Sequence, residues 1–184
     1  MEELSLNILD IAQNSIAANA NLIKIGVEED DGGDALRISV EDNGKGMSEE
    51  FLKIVEDPFI TTRTTRSIGL GISFLKEAAE MTGGSLTLTS KLGEGTTVAA
   101  LLKKSHIDRQ PVGDLTGTMT ALISLNPDVD FELRYGVNGK EFTFTTQEAR
   151  DVLGSDARLD QPSIVIFISE YIREHIMNLS GGAY

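Results

Sequence analysis

The sequence predicts an α+β protein: an α/β layer of three helices and four strands over residues 1–104, and a small α+β extension over residues 105–184. In the first part, helix-favouring segments alternate with short apolar segments bounded by turn residues, which is typical of an α/β arrangement. In the second part, a tight-turn signal and a long amphipathic stretch predict a hairpin and a helix. The polar stretch 105–113, which contains one proline, is the predicted boundary.

The composition limits the class of protein. The chain has 184 residues, 16 basic and 29 acidic side chains and a net charge of −13, and 40% of its residues are hydrophobic, enough for a substantial core. Nucleic acid is not expected as a partner, because binding to phosphates needs a basic face. The longest apolar runs, 164–168 among them, are too short to cross a bilayer, and residues 1–5 lack the basic segment of a secretory signal. With no cysteine, disulfides and thiolate metal sites are excluded. We expect a soluble, cytoplasmic protein that binds no membrane.

The chain begins with a predicted helix, two strands and a second helix. Residues 4–20 are rich in alanine and leucine and contain no proline or glycine, which favours a helix. Residues 22–27 and 36–40 have the composition of strands, and the acidic, glycine-containing residues 28–34 predict a hairpin loop between them. Ser48 is a suitable N-cap for the short helix that follows.

The layer is predicted to close with a loop, a helix and two strands. Residues 58–67 contain proline, threonine and arginine and predict a loop. A glycine-containing start leads into a helix over residues 69–82. Strands are predicted at 85–90 and 96–102, joined by a turn at 92–95.

The extension is predicted to begin with three strands. Residues 115–125 alternate in polarity and predict the first of them. Residues 131–135 and 141–145 have the composition of the other two. They flank Asn138-Gly139, which is a strong signal for a two-residue hairpin turn.

Two helices are predicted at the end of the chain. Residues 145–148 fit a capping box and predict the start of a short helix. Apolar residues at helical spacing predict an amphipathic helix over residues 162–179. Its apolar stripe is expected either to pack within the protein or to form a dimer face.

Three short segments carry candidate chemistry, and the first lies on the first helix. Asp10 and Asn14 are four residues apart and therefore share a helix face. A carboxylate and an amide oxygen on one face can orient a water and bind a divalent cation. Such a pair is also common as a plain polar stripe.

The second segment, residues 42–47, directly follows a predicted strand. A carboxylate at a strand end, such as Asp42, can accept a hydrogen bond from an exocyclic amine. Gly44 and Gly46 would let a flat ring approach the backbone. A plain turn is the alternative, whereas a calcium loop is disfavoured because no ladder of acidic ligands follows.

The third segment places Gly69 and Gly71 at the start of a predicted helix. Free N–H groups and the positive end of the helix dipole make such a start suitable for binding phosphate. It is not a Walker loop, because no Gly-Lys-Ser/Thr follows, and the third glycine of a dinucleotide fingerprint is missing.

In this order and spacing, the segments resemble the ATP-binding domain of the GHKL superfamily, which includes gyrase, Hsp90, histidine kinases and MutL. The segments that carry the resemblance are the N box at 8–16, the G1 box at 42–47, the F box and short lid at 58–63, the G2 box at 67–73, and the closing strand-turn-strand at 81–86 and 93–98. The resemblance covers residues 4–103. It implies a two-layer sandwich of the histidine kinase-like ATPase type, a mixed sheet covered by helices on one face, with ATP and Mg²⁺ as ligands.

The resemblance also implies which residues bind adenine. Asp42 would accept a hydrogen bond from the adenine amino group, and Gly44, Gly46 and Met47 would shape the pocket. Thr96 would support Asp42 through a water, although the neighbouring Thr97 is an alternative for this role.

A second set of residues is implied for the phosphates. Asn14 would be the Mg²⁺ ligand, and the backbone N–H groups of residues 69–71 (Gly69, Leu70 and Gly71) would bind the phosphates. Arg63 or Arg66 would reach the terminal phosphate. Residues 58–76 form the longest acid-free run of the chain and carry three basic side chains, which favours a phosphate ligand.

Two of the departures from the family pattern bear on activity and on the sheet. ATP-hydrolysing members have a glutamate as general base four residues before the asparagine, and Asp10 stands there. Because its side chain is one methylene shorter, we expect slow hydrolysis or none. The strand that usually precedes the N box is missing here, so either the sheet is smaller or residues 105–184 supply what is lacking.

The resemblance leaves more than one function open. The first is a regulatory ATP-binding protein whose extension binds a protein partner or a second copy of the chain. The alternative is an anti-sigma-factor-type serine protein kinase that acts on a separate protein. An ATPase motor of the MutL or Hsp90 kind would need a longer lid and a larger transducer. A histidine kinase needs a phosphoacceptor histidine before the ATP domain, whereas His106 and His175 both follow it, and we expect His106 to be a polar linker residue.

Overall fold

One mixed sheet runs through the protein, and the helices pack on one of its faces. The computed structural model describes residues 3–56, 70–154 and 157–182. The elements in chain order are α1 (Leu4–Ala17), β1 (Leu22–Asp30), β2 (Ala35–Asp42), α2 (Glu49–Glu56), α3 (Leu70–Met81), β3 (Ser85–Lys91), β4 (Gly95–Lys103), α4 (Leu115–Leu125), β5 (Asp130–Val137), β6 (Lys140–Thr145), α5 (Thr146–Leu153) and α6 (Pro162–Ser180).

The sheet has six strands in the order β3-β4-β2-β1-β5-β6. β1 and β5 pair in parallel, and the other neighbouring strands pair antiparallel. Ile25 lies opposite Val40 and Val27 opposite Ile38, so the period of two puts these buried side chains on one face. The predicted fold class, an α+β protein built on a mixed sheet, is confirmed.

The helices cover the face on which the strands bury their apolar side chains. α1 buries Leu4, Ile8 and Ile11, which follow the spacing of one helix face. α3 packs on α1 and on β4, and its Leu75 is fully buried. The opposite face of the sheet carries mostly small and polar side chains, among them Lys24, Gly26, Arg37, Ser39 and Thr87.

The elements predicted for residues 1–56 are confirmed with small shifts. α1 ends at Ala17. β1 runs to Asp30 and β2 starts at Ala35, because their backbone pairing continues to the end of the hairpin and leaves only a short turn. The N-cap role of Ser48 is also confirmed, since its hydroxyl accepts a 3.2 Å hydrogen bond from the N–H of Phe51. The predicted loop at 58–67 lies outside the described residues.

The strand predicted at residues 115–125 is wrong, because this segment forms the helix α4. Its buried apolar residues are Leu115, Met119, Leu122 and Ile123, which follow the helical spacing i, i+4, i+7, i+8. The alternation of apolar and polar residues that predicts a strand includes Leu125, but this residue is 75% exposed and does not belong to the buried face. Asp114 caps the helix by accepting a 2.8 Å hydrogen bond from the N–H of Gly117.

The other secondary-structure elements predicted for the extension are confirmed. β5 and β6 form a hairpin through Asn138-Gly139, and Asn138 has a φ of 53°, as this turn requires. The hydroxyl of Thr145 caps α5 by accepting a hydrogen bond from the N–H of Glu148. α6 covers the predicted amphipathic helix, and β5 lies beside β1, so the strands of the extension continue the sheet. None of the described helices combines the length and apolar character needed to cross a membrane.

Candidate functional site

The centre of the candidate site is the carboxylate of Asp42, at the end of β2. Its Oδ2 accepts a 2.6 Å hydrogen bond from the hydroxyl of Ser15, and its Oδ1 accepts a 2.8 Å hydrogen bond from the N–H of Gly44. Ser15 is 3% exposed on α1, whereas Asp42 is only half-buried. The carboxylate is thus held in one orientation while it keeps access to solvent. Sequence reasoning did not find Ser15, although it directly follows Asn14 in the N box.

The loop after Asp42 is tied to the end of α1. The N–H of Lys45 donates a 2.9 Å hydrogen bond to the carbonyl oxygen of Ala18. The side-chain oxygen of Asn43 accepts hydrogen bonds from the N–H groups of Asn21 and Leu22, both at 3.0 Å. These contacts join the G1-box loop to the segment between α1 and β1.

Gly46 allows the same loop to pass close to the turn between β3 and β4. Its φ is +63°, and a Cβ at this position would lie 2.0 Å from the carbonyl oxygen of Lys91, so no side chain fits. The next residue, Met47, is half-buried, and its N–H donates a 2.8 Å hydrogen bond to the hydroxyl of Ser90. Ser90 is a second residue that sequence reasoning did not single out.

Thr96, on β4, lies directly opposite Asp42 in the antiparallel register, whereas Thr97 lies opposite Glu41. Because side chains alternate along a strand, Thr96 shares the helix-covered face with Asp42, and Thr97 points to the other face. The hydroxyl of Thr96 is 2.9 Å from that of Ser90. Of the two candidate threonines, Thr96 is therefore the one beside the carboxylate.

The start of α3 lies against the N-box helix. A Cβ on Gly71 would be 2.6 Å from the Cβ of Asp10 and 3.0 Å from the carbonyl oxygen of Asn7. α3 can approach α1 this closely only because residue 71 has no side chain. The first turn of α3 therefore begins beside Asp10, while Leu70, its first residue, is 66% exposed.

Asn14 lies one turn after Asp10 on α1. Its Nδ2 atom is buried and has no hydrogen-bond partner in the described part of the chain. Among residues 3–56, 70–154 and 157–182 there is no group of three or more His, Cys, Asp or Glu side chains that could hold a metal ion.

Three of the predicted site residues, Arg63, Arg66 and Gly69, lie outside the described residues. Of the other nine, the structure brings together one group on β2, the following loop and β4, namely Asp42, Gly44, Gly46, Met47 and Thr96. A second group lies on α1 and at the start of α3, namely Asp10, Asn14, Leu70 and Gly71. The hydrogen bond from Ser15 to Asp42 joins the first group to the helix that carries Asp10 and Asn14.

Comparison with known proteins adds an independent observation. The family model described as "Histidine kinase-, DNA gyrase B-, and HSP90-like ATPase" matches residues 1–106. The chain is 32% identical to the "Non-motile and phage-resistance protein" of Caulobacter vibrioides, over 58% of this chain and 14% of that protein. It is 29% identical to the "Sensor histidine kinase ZraS" of Escherichia coli K12, over 61% of this chain and 24% of that protein. It is 30% identical to the "Sensor kinase CckA" of Brucella abortus, over 52% of this chain and 12% of that protein. The chain thus spans a quarter or less of the length of these relatives.

Proposed function

The chain belongs to the family of histidine kinase-, DNA gyrase B- and HSP90-like ATPases, and on that basis we propose that it binds ATP with Mg²⁺ and acts as a regulatory protein with slow hydrolysis or none. The observation that carries the proposal is the half-buried carboxylate of Asp42, which is oriented by Ser15 and Gly44 at 2.6 and 2.8 Å. The proposed nucleotide site extends from this carboxylate along α1 to the start of α3.

Asp42 provides the selectivity for adenine. Each carboxylate oxygen has two lone-pair sites, so each can accept one bond within the protein and a further bond from a ligand. An ionised carboxylate is an acceptor only, which suits the amino group of adenine and opposes the carbonyl oxygen that guanine has at the same position. Thr96 lies opposite Asp42 and is proposed to support it through a water, while Gly46 and Met47 line the pocket.

Asn14 is the proposed Mg²⁺ ligand. The side chain of Asn14 is half-buried, and its amide oxygen is the atom proposed to bind the ion. Mg²⁺ is usually bound by one or two protein oxygens together with the phosphates of a substrate, and Asn14 would supply such an oxygen. When bound, the ion would neutralise charge on the phosphates.

The phosphates are proposed to lie at the start of α3. N–H groups at a helix start are free to donate, and the helix dipole favours an anion there. Leu70 and Gly71 are the described residues of this group, and Gly69 completes it by the family resemblance. Arg63 or Arg66 is proposed to contact the terminal phosphate.

Asp10 is the proposed general base. It lies on α1 beside the first turn of α3, where a water would approach the terminal phosphate. Its carboxylate reaches about one bond length less far than a glutamate, and a base acts efficiently only within hydrogen-bond distance of the proton. Slow turnover, or binding without turnover, is therefore the expected behaviour.

Calorimetry with ATP, with and without Mg²⁺, tests the proposal on the wild-type chain and on Asp42→Asn. We expect Mg²⁺-dependent binding of ATP, weaker binding of GTP and a clear loss of ATP affinity in the variant. Equal ATP affinities of the two chains would overturn the proposed site. Transfer of labelled phosphate from ATP to a separate protein on serine would instead favour the serine-kinase alternative.

A further inference from the structure

The last helix, α6, has an outer face of exposed side chains, and the C-terminal half of this face, with Arg173 and Met177, borders the cleft between α6 and residues 109–116. Its inner face packs on α4, β5 and β6 through Ile168, Ile172 and Ile176, which are at most 2% exposed. On the outer face, Ile166 is 58% exposed and Met177 is 40% exposed. Two large apolar side chains therefore face solvent near opposite ends of the helix.

Between them lie two opposite charges, and the four residues form one line. Ile166, Glu170, Arg173 and Met177 are spaced i, i+4, i+7, i+11, which keeps them within a narrow stripe along an α-helix. Glu170 and Arg173 are both exposed, and neither has an ion-pair partner within 4.0 Å in the part of the chain that the structure describes. The stripe thus reads apolar, acidic, basic, apolar, with both charges available.

We propose that this stripe binds the same stripe of a second copy of the chain, with the two α6 helices antiparallel. The twofold axis passes beside the helix midway between residues 171 and 172. Glu170 then faces Arg173 of the partner subunit, and Ile166 faces Met177 of the partner subunit. Each contact occurs twice, so the dimer contains two ion pairs and two apolar contacts along the helix seam.

A second copy is favoured over a different protein because the stripe is its own complement. In a twofold interface, residue i contacts residue j and residue j contacts residue i, so the sequence of contacts must match when it is reversed. An order with two acids in the middle would bring like charges together, whereas the order from Glu170 to Arg173 brings opposite charges together at both positions.

Two aromatic side chains widen the patch on one side of the stripe. Phe167 is 55% exposed and Tyr171 is 40% exposed, and their rings stack with centroids 6.3 Å apart. Tyr171 is anchored in turn on Phe142 of β6, at 5.7 Å. One pair of helices with these flanking aromatic side chains buries less surface than the ~1,200 Å² of a standard stable interface. We therefore expect a weak dimer whose population depends on protein concentration.

This proposal specifies the partner of the extension, and it can fail independently of nucleotide binding. α6 packs on α4, β5 and β6, whereas the proposed nucleotide site lies on α1, α3, β4 and the segment after β2. Variants on the outer face of α6 should therefore change association and leave ATP affinity as it is.

Sedimentation equilibrium over about 1 to 100 μM protein, a range suited to a small interface, tests the charges on the full chain. We expect Glu170→Arg and Arg173→Glu each to weaken the dimer about tenfold or more, because like charges then face each other. The double variant, with both substitutions, restores the pairs in reversed order and should regain most of the association. A wild-type chain that stays monomeric, or a dimer equally strong in both single variants, would overturn the proposal.

Cross-linking tests the geometry by a separate route. The chain has no cysteine, so Ile166→Cys and Met177→Cys can be introduced without background. In the proposed dimer, residue 166 is ~16 Å along the helix axis from residue 166 of the other copy, beyond the ~7 Å reach of a disulfide. Oxidation should therefore give a covalent dimer with the double variant and with neither single variant. No covalent dimer from the double variant, or as much from a single one, contradicts the antiparallel arrangement, and ATP binding measured on each variant checks that it is folded.

Discussion

The hydroxyl of Ser15 donates a 2.6 Å hydrogen bond to Oδ2 of Asp42, across twenty-seven residues of sequence. Ser15 is almost fully buried on α1, and Asp42 ends the strand β2. This contact joins the helix that carries the proposed Mg²⁺ ligand to the carboxylate proposed to select adenine. The two halves of the proposed site are therefore mechanically linked, and the first predictions concern this link.

Replacing Asp42 with asparagine should weaken ATP binding. The amide turns one acceptor oxygen into a donor group, and a hydrogen bond to a charged partner contributes about 1.5 to 3 kcal/mol, which corresponds to roughly 10- to 150-fold in affinity. Calorimetry measures the change. The matched control is Glu41→Gln, because Glu41 precedes Asp42 on β2 and pairs with Lys24 on the other face. A comparable loss in the control would mean that the effect is not specific to Asp42.

Ser15→Ala should weaken ATP binding less than the change at Asp42, by about 1 kcal/mol, or roughly fivefold. The carboxylate loses one of its two orienting donors but keeps the N–H of Gly44. Ser39→Ala is the control, since Ser39 lies on β2, like Asp42, but faces the other side of the sheet. If Ser15 acts through the carboxylate, its effect should largely disappear in the background of Asp42→Asn, whereas additive effects would contradict a shared role.

Gly71→Ala should separate the start of α3 from α1. The new Cβ would lie 2.6 Å from the Cβ of Asp10, and overpacking of this kind costs about 1 to 3 kcal/mol. We expect a lower free energy of unfolding in denaturant titrations together with weaker ATP binding. Gly32→Ala is the control, because a Cβ there meets its nearest atom at an ordinary 3.4 Å. Equal stability of the two variants would show that α3 accommodates the methyl group without moving.

Asp10→Ala should lower any ATP turnover of the chain and leave ATP affinity nearly unchanged. A positioned base contributes about 10² to 10⁴-fold to the rate. Because the side chain of Asp10 is short, we expect a decrease in turnover near the lower end of this range. Steady-state phosphate release gives the turnover, and calorimetry gives the affinity. Unchanged turnover would remove Asp10 from the role of base.

The contribution of Asp34 to the stability of the fold should depend on pH only in the acidic range. Hydrogen bonds from the hydroxyl and the backbone N–H of Ser105, both at 2.8 Å, lower the pKa of Asp34. A carboxyl whose pKa is lowered by folding stabilises the protein above its unfolded pKa and loses that contribution as the pH falls through its folded pKa. Asp34→Asn should therefore lower the Tm at about pH 7, and the difference from wild type should shrink below about pH 4. A constant difference across this range would contradict the assignment.

The misassigned segment shows where the sequence pattern was ambiguous. Residues 115–125 contain apolar side chains at both period two and helical spacing, and no charge within the segment separates the two patterns. The helix forms because its apolar face fits between α1 and α6, and because Asp114 caps its start. Burial against neighbouring elements decided between two periods that the local sequence allowed.

The candidate residues of the ATP-binding motifs, in contrast, follow from short spacings along the sequence. Asp10 and Asn14 share a face of α1 because they are four residues apart, and Gly46 occupies a position that only glycine tolerates. Ser15 and Ser90 were missed because their partners are 27 and 43 residues away, at Asp42 and Met47. No periodicity encodes a hydrogen bond between such distant side chains.

The sequence by itself determined the family, the alternation of helices and strands in the first 104 residues, and the candidate site residues, because boxes, caps and turns are short-range patterns. The tertiary structure decided which residues meet. It put Thr96 rather than Thr97 beside Asp42, through the register of β4 on β2, and it put the extension on the edge of the sheet, through the parallel pairing of β5 with β1. Strand register and helix packing depend on contacts between segments far apart in the chain, and only the folded structure contains them.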